Sequence, residues 1–183
     1  MEKKREIGLS KFLSLLLRHN PGLIGLILDD KGWADVNELI GKSALKGKKF
    51  NLEDIKYIVK NCDKQRYSFN DDFSKIRANQ GHSIMVDLEL IPTEPPEILF
   101  HGTAIKNLKS ILENGIHSGT RNYVHLSQDI ETATKVGMRH GKVVLLKIMS
   151  GKMFNKGINF YLSKNNVWLT DFIEPKYIEP PNI

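Results

Sequence analysis

The chain has 183 residues, of which 40% are hydrophobic and 26% charged, with a formal charge of +6 and a pI near 9.3. That length holds one large domain or two small ones, and the basic balance favours an acidic partner, of which nucleic acid is the commonest. A single cysteine, Cys62, excludes a disulfide framework or a cysteine-based zinc site, and neither a secretory signal nor a membrane-length apolar run is present, so a soluble cytoplasmic protein is expected.

The elements follow from periodicity and punctuation. In LSKFLSLLLRHNPG, Leu9, Phe12, Leu13, Leu16 and Leu17 mark one buried helical face, and Pro21-Gly22 stops the helix just after Arg18 and His19. GLILDD reads as a short strand and turn. Asp35-Val36-Asn37-Glu38 has capping-box-like spacing and opens a second helix; Asn51-Leu52-Glu53-Asp54 opens a third, running toward Cys62. RYSF and KIRANQ, separated by Asn70-Asp71-Asp72, read as a hairpin. Three helices and a terminal hairpin describe a winged-helix module over residues 1–91. Pro92, Pro95 and Pro96 disfavour both helix and central strand, so a Pro-rich linker is expected over 92–97.

Beyond the prolines, EILFHGT reads as a strand and IKNLKSILENG as a helix ending at Gly115. YVHLS is a strand, and Ser127 is expected to cap the helix QDIETATKVGMRHG. KVVLLKIM is a buried strand, and NFYLSKNNVWLT is a hairpin turning through Lys164, Asn165 and Asn166. Residues 98–183 therefore read as a second lobe, and the whole chain as α+β.

Several segments set anion-binding or proton-carrying groups beside these elements. Arg18 and His19 end the first helix, where the helix dipole alone is reason enough for cations. Arg66, with Lys64 and Gln65, lies between the third helix and the hairpin and suits a bidentate phosphate contact. Arg77, Asn79, Gln80, Gly81, His82 and Ser83 gather amide, hydroxyl and imidazole groups suited to phosphate and sugar. In His101-Gly102-Thr103, at the end of a strand, the glycine would let a ligand approach the backbone. From Arg121 to Ser127, strand alternation puts Tyr123, His125 and Ser127 on one face and Val124 and Leu126 on the other. No histidines have metalloprotease-like spacing, so no metal site is expected. The lack of a Walker loop or G-x-G-x-x-G disfavours an ATP-dependent kinase or a Rossmann dehydrogenase.

Taken in order, LSKFLSLLLRHNP, DKQRYSF, RANQGHS, FHGT, RNYVHLS and NNVWLT resemble the RNA 2′-phosphotransferase family, which includes the tRNA-splicing 2′-phosphotransferase. The resemblance runs from about Leu9 to Thr170. It implies a winged-helix RNA lobe joined to an ADP-ribosyltransferase-like lobe that binds NAD⁺. It also implies a catalytic set of Arg18, His19, Arg66 and Arg121, and NAD⁺ contacts from His101, Gly102, Thr103, His125, Leu126 and Ser127. Val167, implied as a further NAD⁺ contact, stands where toxin-like transferases carry a glutamate. RNA contacts are expected from Lys64, Gln65, Arg77, Asn79, Gln80, Gly81, His82 and Ser83.

The implied reaction removes an internal RNA 2′-monophosphate, consuming NAD⁺ and needing no metal, with the protein expected to act as a monomer. Two other readings compete: an ADP-ribosyltransferase that leaves ADP-ribose on nucleic acid or protein, and a non-enzymatic winged-helix nucleic-acid binder.

Overall fold

The computed structural model describes residues 1–180, apart from the side chain of His140. The structure is mixed α+β, and its contacts gather into two units, Met1–Glu89 and Leu90–Ile183.

In the first unit, α1 (Lys3–Arg18) buries Leu9, Leu13, Leu16 and Leu17, with Phe12 packed against the same core. The helix cannot continue because Asn20 precedes Pro21 and takes a non-helical conformation, φ −145° and ψ 70°. GLILDD does not form the expected strand. The Asp29 carboxylate accepts from the Lys31 and Trp33 amides at 3.1 and 2.9 Å, which fixes a turn there. The short strand comes later, as β1 (Ala34–Asp35).

Asp35 caps α2 (Val36–Leu45) by accepting from the Glu38 amide, and Asn51 with Asp54 forms a full capping box at the start of α3 (Leu52–Lys60). The strands β2 (Tyr67–Phe69) and β3 (Lys75–Ala78) make the hairpin, and the antiparallel sheet has the order β1-β3-β2.

Tyr67 ties this sheet to α1. It is 2% exposed. Its hydroxyl donates to the Ser10 carbonyl at 2.6 Å and accepts from the Ser14 hydroxyl at 2.6 Å. A buried phenol with both roles satisfied holds its neighbour, Arg66, close to the helix end.

The second unit begins by absorbing the proline segment. The Thr93 amide donates to Phe160 O at 2.8 Å, the Ser150 hydroxyl to Pro96 O at 2.7 Å, and the Gly151 amide to Glu97 O at 3.1 Å. Residues 92–97 are thus bonded into this unit.

The elements that follow are β4 (Leu99–Ala104), α4 (Leu108–Asn114), β5 (Ile116–His117), β6 (Val124–Leu126), α5 (Ile130–Gly137) and β7 (Val143–Ile148). After them come α6 (Ser150–Phe154), β8 (Tyr161–Leu162), β9 (Trp168–Thr170), β10 (Phe172–Ile173) and β11 (Ile178–Glu179). Strands β4 and β7 pair in antiparallel register from Leu99↔Ile148 to Ala104↔Val143, and β11 adds to β7. A second sheet runs β6-β9-β8, a third pairs β10 with β5, and a bridge between Phe100 and Ser127 links β4 to the end of β6. Leu99, Leu126, Leu146, Ile148, Phe160, Trp168 and Ile173 fill the core.

The cap of α5 is Asp129, whose carboxylate accepts from the Thr132 amide, rather than Ser127. Both backbone groups of Ser127 are already committed to Phe100, at 2.8 and 2.9 Å.

Helix α5 crosses β4 at backbone contact. A Cβ on Gly102 would lie 1.8 Å from the Ala133 carbonyl, and one on Gly137 would lie 2.8 Å from the Gly102 carbonyl carbon. Neither neighbour is a flexible side-chain tip, so relief requires moving the helix. Gly102→Ala is therefore expected to destabilise the second unit by about 3 kcal/mol. Urea unfolding of the full chain, followed by tryptophan fluorescence, measures this; a midpoint equal to wild type would show that the helix can shift freely.

Candidate functional site

At the end of α1, Arg18 bonds the backbone of Arg66, and His19 follows Arg18 in the chain. The last carbonyls of a helix lack intrahelical donors. The Arg18 carbonyl receives one from outside, the Ser83 amide at 2.9 Å. That bond brings the Ser83 hydroxyl to His19, 2.9 Å from Nδ1. Gly81 passes beneath the Arg18 guanidinium with φ +85°, so a side chain here would be strained by its backbone while only touching Arg18.

Arg66 comes from a different element. Gln65 precedes it in the left-handed region, φ 42°, a conformation that costs a non-glycine residue about 1 kcal/mol. The turn is held by the Gln65 amide on Cys62 O at 2.7 Å and by Asn79 Nδ2 donating to Gln65 O at 2.6 Å. It aims Arg66 so that Nη1 donates to Cys62 Sγ at 3.1 Å and its carbonyl accepts from Arg18 Nη2 at 3.5 Å. A helix dipole explains Arg18 and His19 but does not reach Arg66. Two forked guanidiniums and an imidazole in one place suit a phosphate.

Not all of the predicted RNA-contact residues face outward. Arg77, Asn79 and His82 are 6%, 6% and 2% exposed. Arg77 stacks 4.5 Å over the Trp33 ring and donates to Lys31 O. Asn79 accepts from the Ser68 hydroxyl at 2.7 Å while bonding Gln65 O. The Nε2 atom of His82 is buried with no hydrogen-bond partner. The polar groups of these three residues are thus directed inward, and they support the loop. Lys64, Gln65 and Ser83 are exposed, and Gln80 and Gly81 partly so.

In the second unit, His101 on β4 sits with Nδ1 3.2 Å from His125 O, and His125 has Nδ1 2.9 Å from Tyr123 O. A carbonyl only accepts, so each Nδ1 carries a proton. Thr103 is 6% exposed and accepts from Asn107 Nδ2 at 3.2 Å. The alternation expected on β6 holds: Val124 and Leu126 are buried, and Tyr123, His125 and Ser127 are half-buried.

Leu126 therefore serves the core, and what Gly102 admits is helix α5. Tyr161, unmarked in the sequence reading, meets Tyr123 edge-on at 5.7 Å. Its signal was its place in the hairpin, where it pairs with Leu169 as His125 does from the other side. Arg121 is exposed on the segment entering β6, and Val167 is half-buried in the β8–β9 turn with its amide and carbonyl both bonded to Ser163. Among the described residues no group of three His, Cys, Asp or Glu side chains is arranged to hold a metal, and no helix is long and apolar enough to cross a membrane.

Residues 4–172 match the model of the family described as RNA 2′-phosphotransferase, Tpt1 / KptA family. The chain is 56% identical over 172 residues to a Flavobacterium johnsoniae protein named "Probable RNA 2′-phosphotransferase", covering 94% of each chain. Proteins of the same name from Fusobacterium nucleatum and Trichormus variabilis are 50% and 46% identical. Those matches cover 95% of this chain and 98% of the first, and the full length of both chains for the second.

The pH response of the loop after β3 follows from His82. Burial above all, then the charges of Arg18, His19 and Arg77, push its pKa down to about 4. The unfolded chain takes up that proton near pH 6.5, so between pH 6.5 and about 4 the unfolded state binds more protons. Stability from this group is full above pH 6.5 and falls as the pH drops, by up to about 3 kcal/mol. His82→Asn should flatten that part of the profile. Urea unfolding of both proteins between pH 4 and 7 tests it; equal slopes would remove His82 as the cause.

Proposed function

Since the chain belongs to the RNA 2′-phosphotransferase family, we propose that it removes an internal 2′-monophosphate from RNA in a reaction that consumes NAD⁺. The first unit is read as a winged-helix RNA-binding lobe and the second as an ADP-ribosyltransferase-like lobe. The observation that carries this reading is the meeting of Arg18, His19 and Arg66 at one helix end, in a chain that matches the family over residues 4–172.

NAD⁺ supplies an electrophilic anomeric carbon and nicotinamide as the leaving group. The two imidazoles bonded to backbone carbonyls and the Tyr123–Tyr161 ring pair give the second unit polar and aromatic groups of the kind a dinucleotide needs. The RNA 2′-phosphate displaces nicotinamide, forming an ADP-ribosylated RNA phosphate. The phosphorus then passes to the neighbouring ribose 2″-hydroxyl, and the RNA 2′-oxygen leaves with the proton that this hydroxyl gives up. The products are 2′-hydroxyl RNA, nicotinamide and ADP-ribose 1″,2″-cyclic phosphate.

The first nucleophile is already an anion, so no strong base is needed, which fits Val167 in the place of a glutamate. Arg18 and Arg66 are read as holding the phosphate and neutralising charge building on its oxygens, with Arg121 the member of the family's catalytic set carried by the second unit. His19, steadied by Ser83, is an imidazole able to pass a proton in the second step.

Incubation with an RNA bearing one internal 2′-phosphate tests the reading. Release of the phosphate as the cyclic product should require NAD⁺ and be little affected by EDTA. Full turnover without NAD⁺ would overturn it, and a stable ADP-ribosylated polymer as the end product would favour the competing transferase. Arg66→Ala and Arg121→Ala should each slow the second step by about a hundred- to a thousandfold. ADP-ribosylated RNA should then accumulate on gels; wild-type turnover without that band would show the roles to be wrong.

A further inference from the structure

A groove of about 530 Å³ runs along α1 in the first unit. One wall is the helix face from Lys3 to Leu15, the other is the end of α3 and the residues after it, and His19 and Arg66 line the same groove. From Lys3 to His19 the helical rise amounts to about 24 Å, far longer than one phosphate needs. The function proposed above uses only the His19 and Arg66 end.

The lining has the chemistry of a strand path. Lys3, Lys11, Lys64 and Arg66 outnumber Glu6 and Asp63, and Glu6 is taken up by Lys3 at 3.0 Å. Lys11 is exposed and makes no ion pair or hydrogen bond among the described residues. Ile7 and Leu15, 47% and 38% exposed, stand on either side of it along the helix and give sugars and base faces an aliphatic floor. They are too dispersed to form the contiguous apolar patch that a protein partner would use. No Phe, Tyr or Trp lines the groove, and the one ring there, His19, stands at the phosphate end, so its length offers no row of stacking platforms.

We propose that this groove carries the single-stranded RNA flanking the 2′-phosphate, gripped through its phosphates and without sequence preference. The assignment rests on the phosphotransferase reading, since the strand enters from the phosphate seated at His19 and Arg66.

The test compares two labelled RNAs by fluorescence anisotropy and by turnover with NAD⁺: a 2′-phosphorylated dinucleotide, and a longer mixed-sequence strand with one internal 2′-phosphate. The full-length protein should bind the longer strand more tightly, with a steep salt dependence. Lys11→Glu should lose about tenfold in affinity for the longer strand while turning over the dinucleotide normally, and Lys11→Arg should restore binding. Lys48→Glu, exposed and off the groove, should change little.

Equal binding of long and short RNA, or equal loss in Lys11→Glu and Lys48→Glu, overturns the groove assignment. Normal turnover with no effect of Lys11→Glu overturns the groove alone. Groove-dependent RNA binding without any NAD⁺-dependent turnover upholds the groove and overturns the reaction.

Discussion

A helix ends with carbonyl groups that need donors, and at the end of α1 this need organises the first unit's site. The Ser83 amide meets the Arg18 carbonyl, and every nearby contact is arranged around that bond. It fixes the loop that follows β3, which sets Gly81 under the Arg18 guanidinium and the Ser83 hydroxyl on His19. The Arg66 carbonyl is the second fixed point, accepting from the Asn79 amide at 2.9 Å and from the Arg18 side chain. The Ser83 amide and the Arg66 carbonyl thereby tie the loop, the helix end and the Arg18 side chain together through backbone groups.

Division of labour among the polar residues follows from burial. Arg77 stacks on Trp33 and lies 3.6 Å from Glu89, so its charge is spent within the fold. Arg66 makes no ion pair among the described residues and turns instead to a thiol, a weak acceptor that orients the fork without neutralising it. Both are arginines near the same hairpin. One props up the loop, and the other keeps to its sulfur contact.

What could be read from the sequence was what local rules decide. The leucine spacing of α1, the capping box at Asn51, the Asn70–Asp72 turn and the alternation across β6 each depend on residues close in the chain. The errors arose where a distant partner decides. GLILDD lost its strand to the Asp29 carboxylate, and Ser127 could not act as the expected cap with its backbone paired to Phe100. Gly102 looked like a place for a ligand, but the room it leaves is filled by Ala133 and Gly137 of a helix some thirty positions on. Arg77, Asn79 and His82 share a polar motif with Ser83, and no pattern of residue types says which of them turn inward. The candidate site was legible through the ordered motifs of a family, because its residues come from segments that no single window joins.

The tie between Tyr67 and α1 spans 53 residues from Ser14 and 57 from Ser10. No short stretch of chain can hold Arg18 and Arg66 together, since both lie within that span, near its opposite ends. Closing so long a loop costs entropy that only the assembled core repays. The anion seat therefore has no partial form: it exists when the first unit is folded and vanishes when it is not. An anion that occupies it shifts the folding equilibrium of the whole unit by mass action, so phosphate recognition and the integrity of this unit are one equilibrium seen from two ends.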